Sequence, residues 1–220
     1  MNPPEALILA GPNGAGKTTS SSSLILPGTR FLNSDVITAR LLEEGHPPGG
    51  VEVAAGRLVL EELRVVVAAG ESFCVETNLA GRGLAHWIVD WRERGYTVRL
   101  VFTALDSPEL ALRRVASRVA SGGHDVPEAV VRRRWAAGLR ALFDLYLPLV
   151  DRWQILDSSD GPVQEVARGD RVDPLPQILD EECWTRILRL ATLVGASASW
   201  SGGELFNPVT PLHDDGQSQL

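Results

Sequence analysis

Lysine occurs once in the 220-residue chain, at Lys17, beside twenty arginines. The lysine sits in "GPNGAGKTT", where Gly11, Gly16, Lys17 and Thr18 satisfy G-x-x-x-x-G-K-[ST], Pro12, Asn13, Gly14 and Ala15 fill the loop, and Thr19 follows. That spacing predicts a phosphate cradle. Glycines admit backbone angles closed to other residues, so successive N–H groups converge on one anion, and the helix that follows adds its positive end. Lys17 is expected to reach the β- and γ-phosphates of ATP as a compact point charge, with the Thr18 hydroxyl on Mg2+. A forked guanidinium does not fit that role, which accounts for the position of the single lysine.

Three further stretches carry candidate chemistry. "FLNSD" places Asp35 where a carboxylate could take a proton from an attacking hydroxyl or help hold the metal, although Asn, Ser and Asp also suit a helix cap. "FCVETN" offers Glu76 and Asn78, with Glu76 placed for a substrate hydroxyl, a Mg2+-bound water or a turn. In "LRRVASRVASGGHDVPEAVVRRRW", Arg114 and Arg118 share a helix face, and Arg132, Arg133 and Arg134 follow a Gly122-Gly123 hinge. Two arginine-bearing helices around a hinge suit a lid over residues 113–135 that expels water and neutralises a transferring phosphoryl group. Val131, Trp135, Leu139, Leu142 and Tyr146 form the apolar face of the second helix; Arg132 and Arg134 flank it, while Arg133 points away as a solvated charge. His124, beside the hinge, is either a phosphate ligand or a loop residue without a role.

The elements that must position these groups are legible as alternating patterns. Strand-like runs at Ala6–Ala10, Arg30–Leu32, Ser72–Val75, Val98–Ala104 and Trp153–Leu156 alternate with helical stretches at Val36–Glu44, Val51–Ala69, Leu84–Arg94, Pro108–Ala120 and Pro127–Tyr146. The expected fold is α/β, a kinase-like P-loop NTPase with a parallel sheet, helices on both faces and a helical lid. Ligands of such sheets bind at the carboxyl ends of the strands, where "GPNGAGKT", "NSD", "ETN" and "DSPE" all fall. Ser107, Pro108 and Glu109 read as an N-cap and first turn. A kinase domain is expected over residues 1–168 and a helical extension over 169–196, with Pro176–Val194 as one amphipathic helix. Residues 197–220, rich in Ser, Gly, Pro and Asp, are expected to be disordered.

A net charge of −7 and a pI near 5.1 argue against a nonspecific nucleic-acid binder, which needs a basic face. No apolar run reaches the ~18 residues of a membrane span, and "MNPPEALILAGPNG" has no basic segment before its short apolar run, so the expected location is the cytoplasm. Cys74 and Cys183 have no metal-ligand spacing and read as reduced thiols.

Taken in order, "GPNGAGKTT", "FLNSD", "SFCVETNLAGRG", "GYTVRLVF" and "RVASRVASGGHDVPEAVVRRRW" resemble the zeta-toxin family of small P-loop kinases, particularly its short, stand-alone bacterial members, over roughly residues 5–160. The resemblance implies an ATP-dependent phosphotransferase; the family's best-known toxins phosphorylate a UDP-activated N-acetylamino sugar. It matches Lys17 and Thr18 to the family's phosphate loop, Asp35 to its catalytic base, Glu76 to a substrate-contacting carboxylate, and Arg118 and Arg134 to two lid arginines. Asn78 stands where the toxins often have threonine, and the lid is longer than theirs. Carried into biology, the resemblance implies a protein antitoxin as partner.

These readings converge on a Mg2+- and ATP-dependent kinase of a small hydroxyl-bearing metabolite. The reading from a different class is a nucleotide-gated switch in which ATP only sets the lid conformation.

Overall fold

In the computed structural model, which describes residues 3–18, 24–25, 28–47, 49–123, 125–173, 175–197, 199–201 and 204–206, the apolar runs become neighbouring strands. β1 (Glu5–Ala10), β2 (Arg30–Asn33), β3 (Phe73–Thr77), β4 (Thr97–Ala104) and β5 (Arg152–Asp157) pair in parallel in the order β2-β3-β1-β4-β5. β1 lies at the centre of these five, and Ala6, Ile8 and Ala10 on one face and Leu7 and Leu9 on the other are all buried, as expected of a strand covered on both faces. β3 runs two residues further than its apolar run, so Glu76 and Thr77 belong to the strand itself.

The helices follow their caps. The Asn33 side chain accepts from Asp35 N (2.7 Å) and Val36 N (3.3 Å) and starts α1 (Ser34–Glu43). Ser107 accepts from Leu110 N and starts α4 (Pro108–Ala120). α2 (Val51–Ala69) and α3 (Gly83–Glu93) complete the layers, and Trp91 of α3 packs edge-on against Phe73 at 4.9 Å. α5 (Glu128–Ala141) is shorter than the sequence pattern indicates, because the chain widens into a π-helical turn over Leu142–Tyr146.

The Gly122-Gly123 pair closes α4 and is not a bare hinge. Gly122 N donates to Val119 O and Gly123 N to Arg118 O, the paired bonds of a left-handed helix terminus.

Past residue 160 the chain adds structure that its weak periodicity does not announce. β6 (Gln164–Asp170) pairs antiparallel with β5, and β7 (Gln177–Ile178) pairs with β6, extending the sheet to seven strands. β6 runs through residue 168. The helix expected at Pro176–Val194 begins five residues later, as α6 (Glu181–Leu193), capped by the Asp180 side chain. Its Trp184 stacks on Trp153 of β5 at 6.4 Å, and Ile187 is 2% exposed. Burying a side chain such as Ile187 contributes about 1.5–3 kcal/mol, so α6 shares the core of the sheet. Within the stretch expected to lack structure, β8 (Ser199–Ser201) and β9 (Glu204–Phe206) pair as a short antiparallel ribbon. The rest of residues 197–220, apart from Ser197, lies outside the described residues. Among the described residues no helix is long and apolar enough to cross a membrane.

Candidate active site

The loop after β1 is shaped by close approach to β4. Gly11 has φ +141°, and a Cβ there would stand 2.4 Å from Thr103 O, so only glycine lets the chain pass. Arg114 of α4 fixes the loop from the other side, donating to Gly14 O (3.4 Å), Ser158 Oγ (3.2 Å) and the carbonyls of Ser158 and Ser159. Arg114 is therefore a brace between the loop and the end of β5, a role its helical spacing with Arg118 does not disclose.

Lys17, only 9% exposed, donates from Nζ to Gly11 O (2.9 Å) and Pro12 O (3.1 Å) and lies 3.9 Å from Glu76 Oε1. Thr18 Oγ1 donates to Glu76 Oε2 at 3.0 Å. Burial holds the Lys17 ammonium below its ordinary pKa, opposed by Glu76 and Asp35 and reinforced by Arg118 and Arg134. The charges expected to gather around the phosphates thus act on one nitrogen. Asn13 Oδ1, buried in the same loop, has no hydrogen-bond partner among the described residues.

Beside the loop opens a cleft of ≈ 220 Å³ whose lining includes Lys17, Asp35, Glu76, Asn78, Arg133 and Arg134. Asp35 reaches it from the first turn of α1, where Asn33 already serves as the cap, leaving the Asp35 carboxylate for the cleft. Glu76 enters from the end of β3. Arg134 stands on the wall. Arg118 is outside the lining, although its charge is felt at Lys17, and a Cβ at Gly123 would collide with its stem at 2.6 Å.

Arg133, expected as a solvated charge, is exposed and also borders the cleft. The helical wheel places it away from the apolar face correctly, but that exposed stripe of α5 borders the cleft and not bulk solvent alone. Arg132 is instead a surface residue, paired with Glu109 (2.6 Å) and Glu128 (2.8 Å). Thr19 and His124 lie outside the described residues.

The sequence reading also misses the floor. Leu79 adopts φ +56°, unusual for a branched side chain, and Tyr146, from the π-helical turn, donates its hydroxyl to Gly81 O. Both line the cleft with Val59 and Leu84. Nothing in the local pattern marks Val59, which reads as one more apolar position of α2.

Compared with known proteins, residues 7–142, more than half the chain and inclusive of the loop, both strand-end carboxylates and the arginine helices, match a family profile described as an AAA domain (AAA_33). The chain belongs to the AAA domain family. A relative of this AAA domain protein, an uncharacterized protein of Haemophilus influenzae, is 27% identical over 131 residues, 60% of this chain and 92% of that one. Two solved structures resemble the AAA domain protein. One, from the PezAT chromosomal toxin–antitoxin system of Streptococcus pneumoniae, is 17% identical with a TM-score of 0.56 and 88% of each chain covered. The other, a candidate kinase from Chloroflexus aurantiacus, is 20% identical with a TM-score of 0.51, covering 60% of this chain and 80% of that one. At these identities the likeness establishes the fold, an α/β P-loop architecture of the kinase type.

Proposed function

We propose that this AAA domain protein is a Mg2+- and ATP-dependent phosphotransferase acting on a hydroxyl of a small metabolite, the UDP-N-acetylamino sugars of the zeta toxins being one candidate acceptor. The observation that carries the reading is the convergence on Glu76: its carboxylate takes the Thr18 hydroxyl at 3.0 Å and stands 3.9 Å from Lys17 Nζ, in a cleft shared with Asp35.

The donors fit the ion. Thr18 and Glu76 offer hard oxygens, and among the described residues no cluster of three or more His, Cys, Asp or Glu could hold a metal unaided. This is the pattern of Mg2+, which dehydrates reluctantly and is held by one or two protein oxygens together with substrate phosphates. When bound, the ion supplies neutralisation of phosphate charge. The hydrogen bond to Thr18 thereby favours the metal side for Glu76 over the acceptor side.

The chain's own groups then divide the work. Lys17 and the loop N–H groups hold the triphosphate, and Asp35 accepts the acceptor's hydroxyl proton as that oxygen bonds to the γ-phosphorus and the bond to the β,γ-bridging oxygen breaks, releasing ADP. Arg134 and Arg118 stabilise the charge on the transferring group. The domain organisation that goes with this reading keeps the kinase machinery within residues 1–168.

Purified protein with Mg2+ and ATP, challenged with a metabolite panel, tests the activity. ADP formation independent of every acceptor would contradict it and favour a nucleotide-gated switch. Glu76→Gln separates the two sides of the site: a raised Mg2+ requirement supports the metal side, a raised acceptor KM the other. Growth arrest on expression, relieved by Asp35→Asn, would extend the proposal to a toxin with a protein antitoxin, as the PezAT likeness suggests.

A further inference from the structure

The cleft carries one cation beyond those that phosphoryl transfer employs. Lys17 belongs to the phosphate loop, and Arg134, like Arg118, acts electrostatically on it. Asp35 and Glu76 are engaged as base and as partner of Thr18. Arg133 remains. It lines the cleft, yet among the described residues no ion pair is formed with it. An arginine left over beside a cleft is a ready partner for a carboxylate or a phosphate.

A second observation concerns Asn78, just after β3. Asn78 lines the same cleft, and its Oδ1 is buried with no hydrogen-bond partner among the described residues. A buried carbonyl oxygen left unmet costs free energy that a ligand O–H or N–H would recover. The backbone brings the two segments together: a Cβ on Gly138 would lie 2.5 Å from Asn78 O, so α5 abuts Asn78 at residue 138. Arg133 and Arg134 precede that contact by more than one turn, about 5.4 Å along the helix per turn. The cleft, at ≈ 220 Å³, is below the ~300–1,000 Å³ typical of drug-sized ligands.

We propose that the acceptor is a small hydroxyl compound carrying a fixed anion, a carboxylate or a phosphate, which Arg133 holds while an O–H or N–H of the same molecule is donated to the Asn78 side chain. The proposal rests on the phosphotransferase reading of this cleft and narrows its substrate class. Arg133 and Asn78 are then specificity residues, distinct from the groups that handle the γ-phosphate.

The test pairs anions with their neutral parents: glycerate and glycerol 3-phosphate against glycerol, and glucuronate and glucose 6-phosphate against glucose. ADP release is followed at fixed Mg2+ and ATP. Charged members should be preferred, and Arg133→Gln should raise their KM by about 10- to 100-fold, the worth of a charge-assisted hydrogen bond, with the KM for ATP within twofold. Arg133→Lys should fall between, and Asn78→Leu should raise the same KM. Arg133 is exposed, so its substitutions do not disturb the core; a thermal melt checks this and the fold of Asn78→Leu. Carboxylates and phosphates are told apart by which member of each set is used. Equal use of neutral parents, or an Arg133→Gln effect on the KM for ATP alone, overturns the proposal. Should no compound stimulate ADP release, the phosphotransferase reading fails separately, and calorimetric titration of the same anions into protein bearing a non-hydrolysable ATP analogue decides the anion site: binding lost in Arg133→Gln upholds it, and no binding overturns it.

Discussion

Gly138 is the position where one methyl group would disturb the site without touching any reacting group. It lies in α5, where replacing glycine by alanine ordinarily gains about 1 kcal/mol of helix propensity. Here the new Cβ would stand 2.5 Å from Asn78 O, and contact becomes ordinary only at 3.4 Å. Opening that gap forces α5 and the Asn78 loop apart by about 1 Å, and overpacking of this kind costs about 1–3 kcal/mol. The sum is a net loss of roughly 1 kcal/mol, or about 2–4 °C in Tm for a domain of this size. Gly56 in α2 provides the control, since nothing lies within 4 Å of its would-be Cβ. Gly56→Ala should raise the Tm by a few degrees at most, through propensity alone. Because α5 also carries Arg133 and Arg134, Gly138→Ala should lower kcat/KM by about 100-fold, the usual consequence of an ångström of misplacement. Melting curves of both variants, followed by steady-state kinetics, decide the matter. A Tm for Gly138→Ala raised as much as that of Gly56→Ala would refute the claim that this contact sets the position of α5.

Asp35→Asn should keep ATP affinity within a few fold while slowing transfer by about 10²–10⁴, the range for a positioned base; an equal loss of binding would move Asp35 to the metal. Lys17→Arg should weaken ATP binding at least about 100-fold, since the loop, whose Gly11 O and Pro12 O hold Lys17 Nζ, presents a compact ammonium where a planar fork would not match it. Burial lowers the Lys17 pKa, so the folded, empty protein binds this proton less tightly than the unfolded chain does. Stability of the empty protein should therefore rise with pH between the lowered value and the ordinary lysine value, while ATP affinity, which needs the charged amine, falls and binding takes up protons. Calorimetry in buffers of different ionisation enthalpy would detect that uptake. Burial pushes the Cys74 thiol up to about 12 and the Cys183 thiol to about 11, so neither should be alkylated by iodoacetamide in the native protein at pH 8, as read by mass spectrometry.

The parts of the fold that local chemistry specifies were legible. Apolar runs, Ser107 and the spaced glycines each state a requirement within a few residues of themselves. β6 was not, because "QEVARGD" alternates weakly and becomes a strand only through its partner β5, against whose Trp153 the chain needs Gly169: a Cβ there would meet the indole ring at 2.6 Å. In the cleft, strand-end position was enough to select Asp35 and Glu76, since register alone brings Asn33 beside Glu76. The surroundings of Arg114 and Arg133 were not legible, for a common reason. A helical wheel tells inside from outside, and what lies outside, whether carbonyls of residues 158 and 159 or the wall of a cleft, is decided by elements distant in the chain.

Lys17 has one further consequence. The 220 residues contain no other lysine, and this one is packed between two carbonyls and Glu76. Amine-directed reagents and acylating enzymes therefore have a single side-chain target in the sequence, and it is guarded by the fold. An acyl group there would cancel the charge and fill the space the phosphates need, so nucleotide should protect against acylation and acylation should exclude nucleotide. For this protein, a whole-chain measurement of lysine modification doubles as a footprint of one binding site.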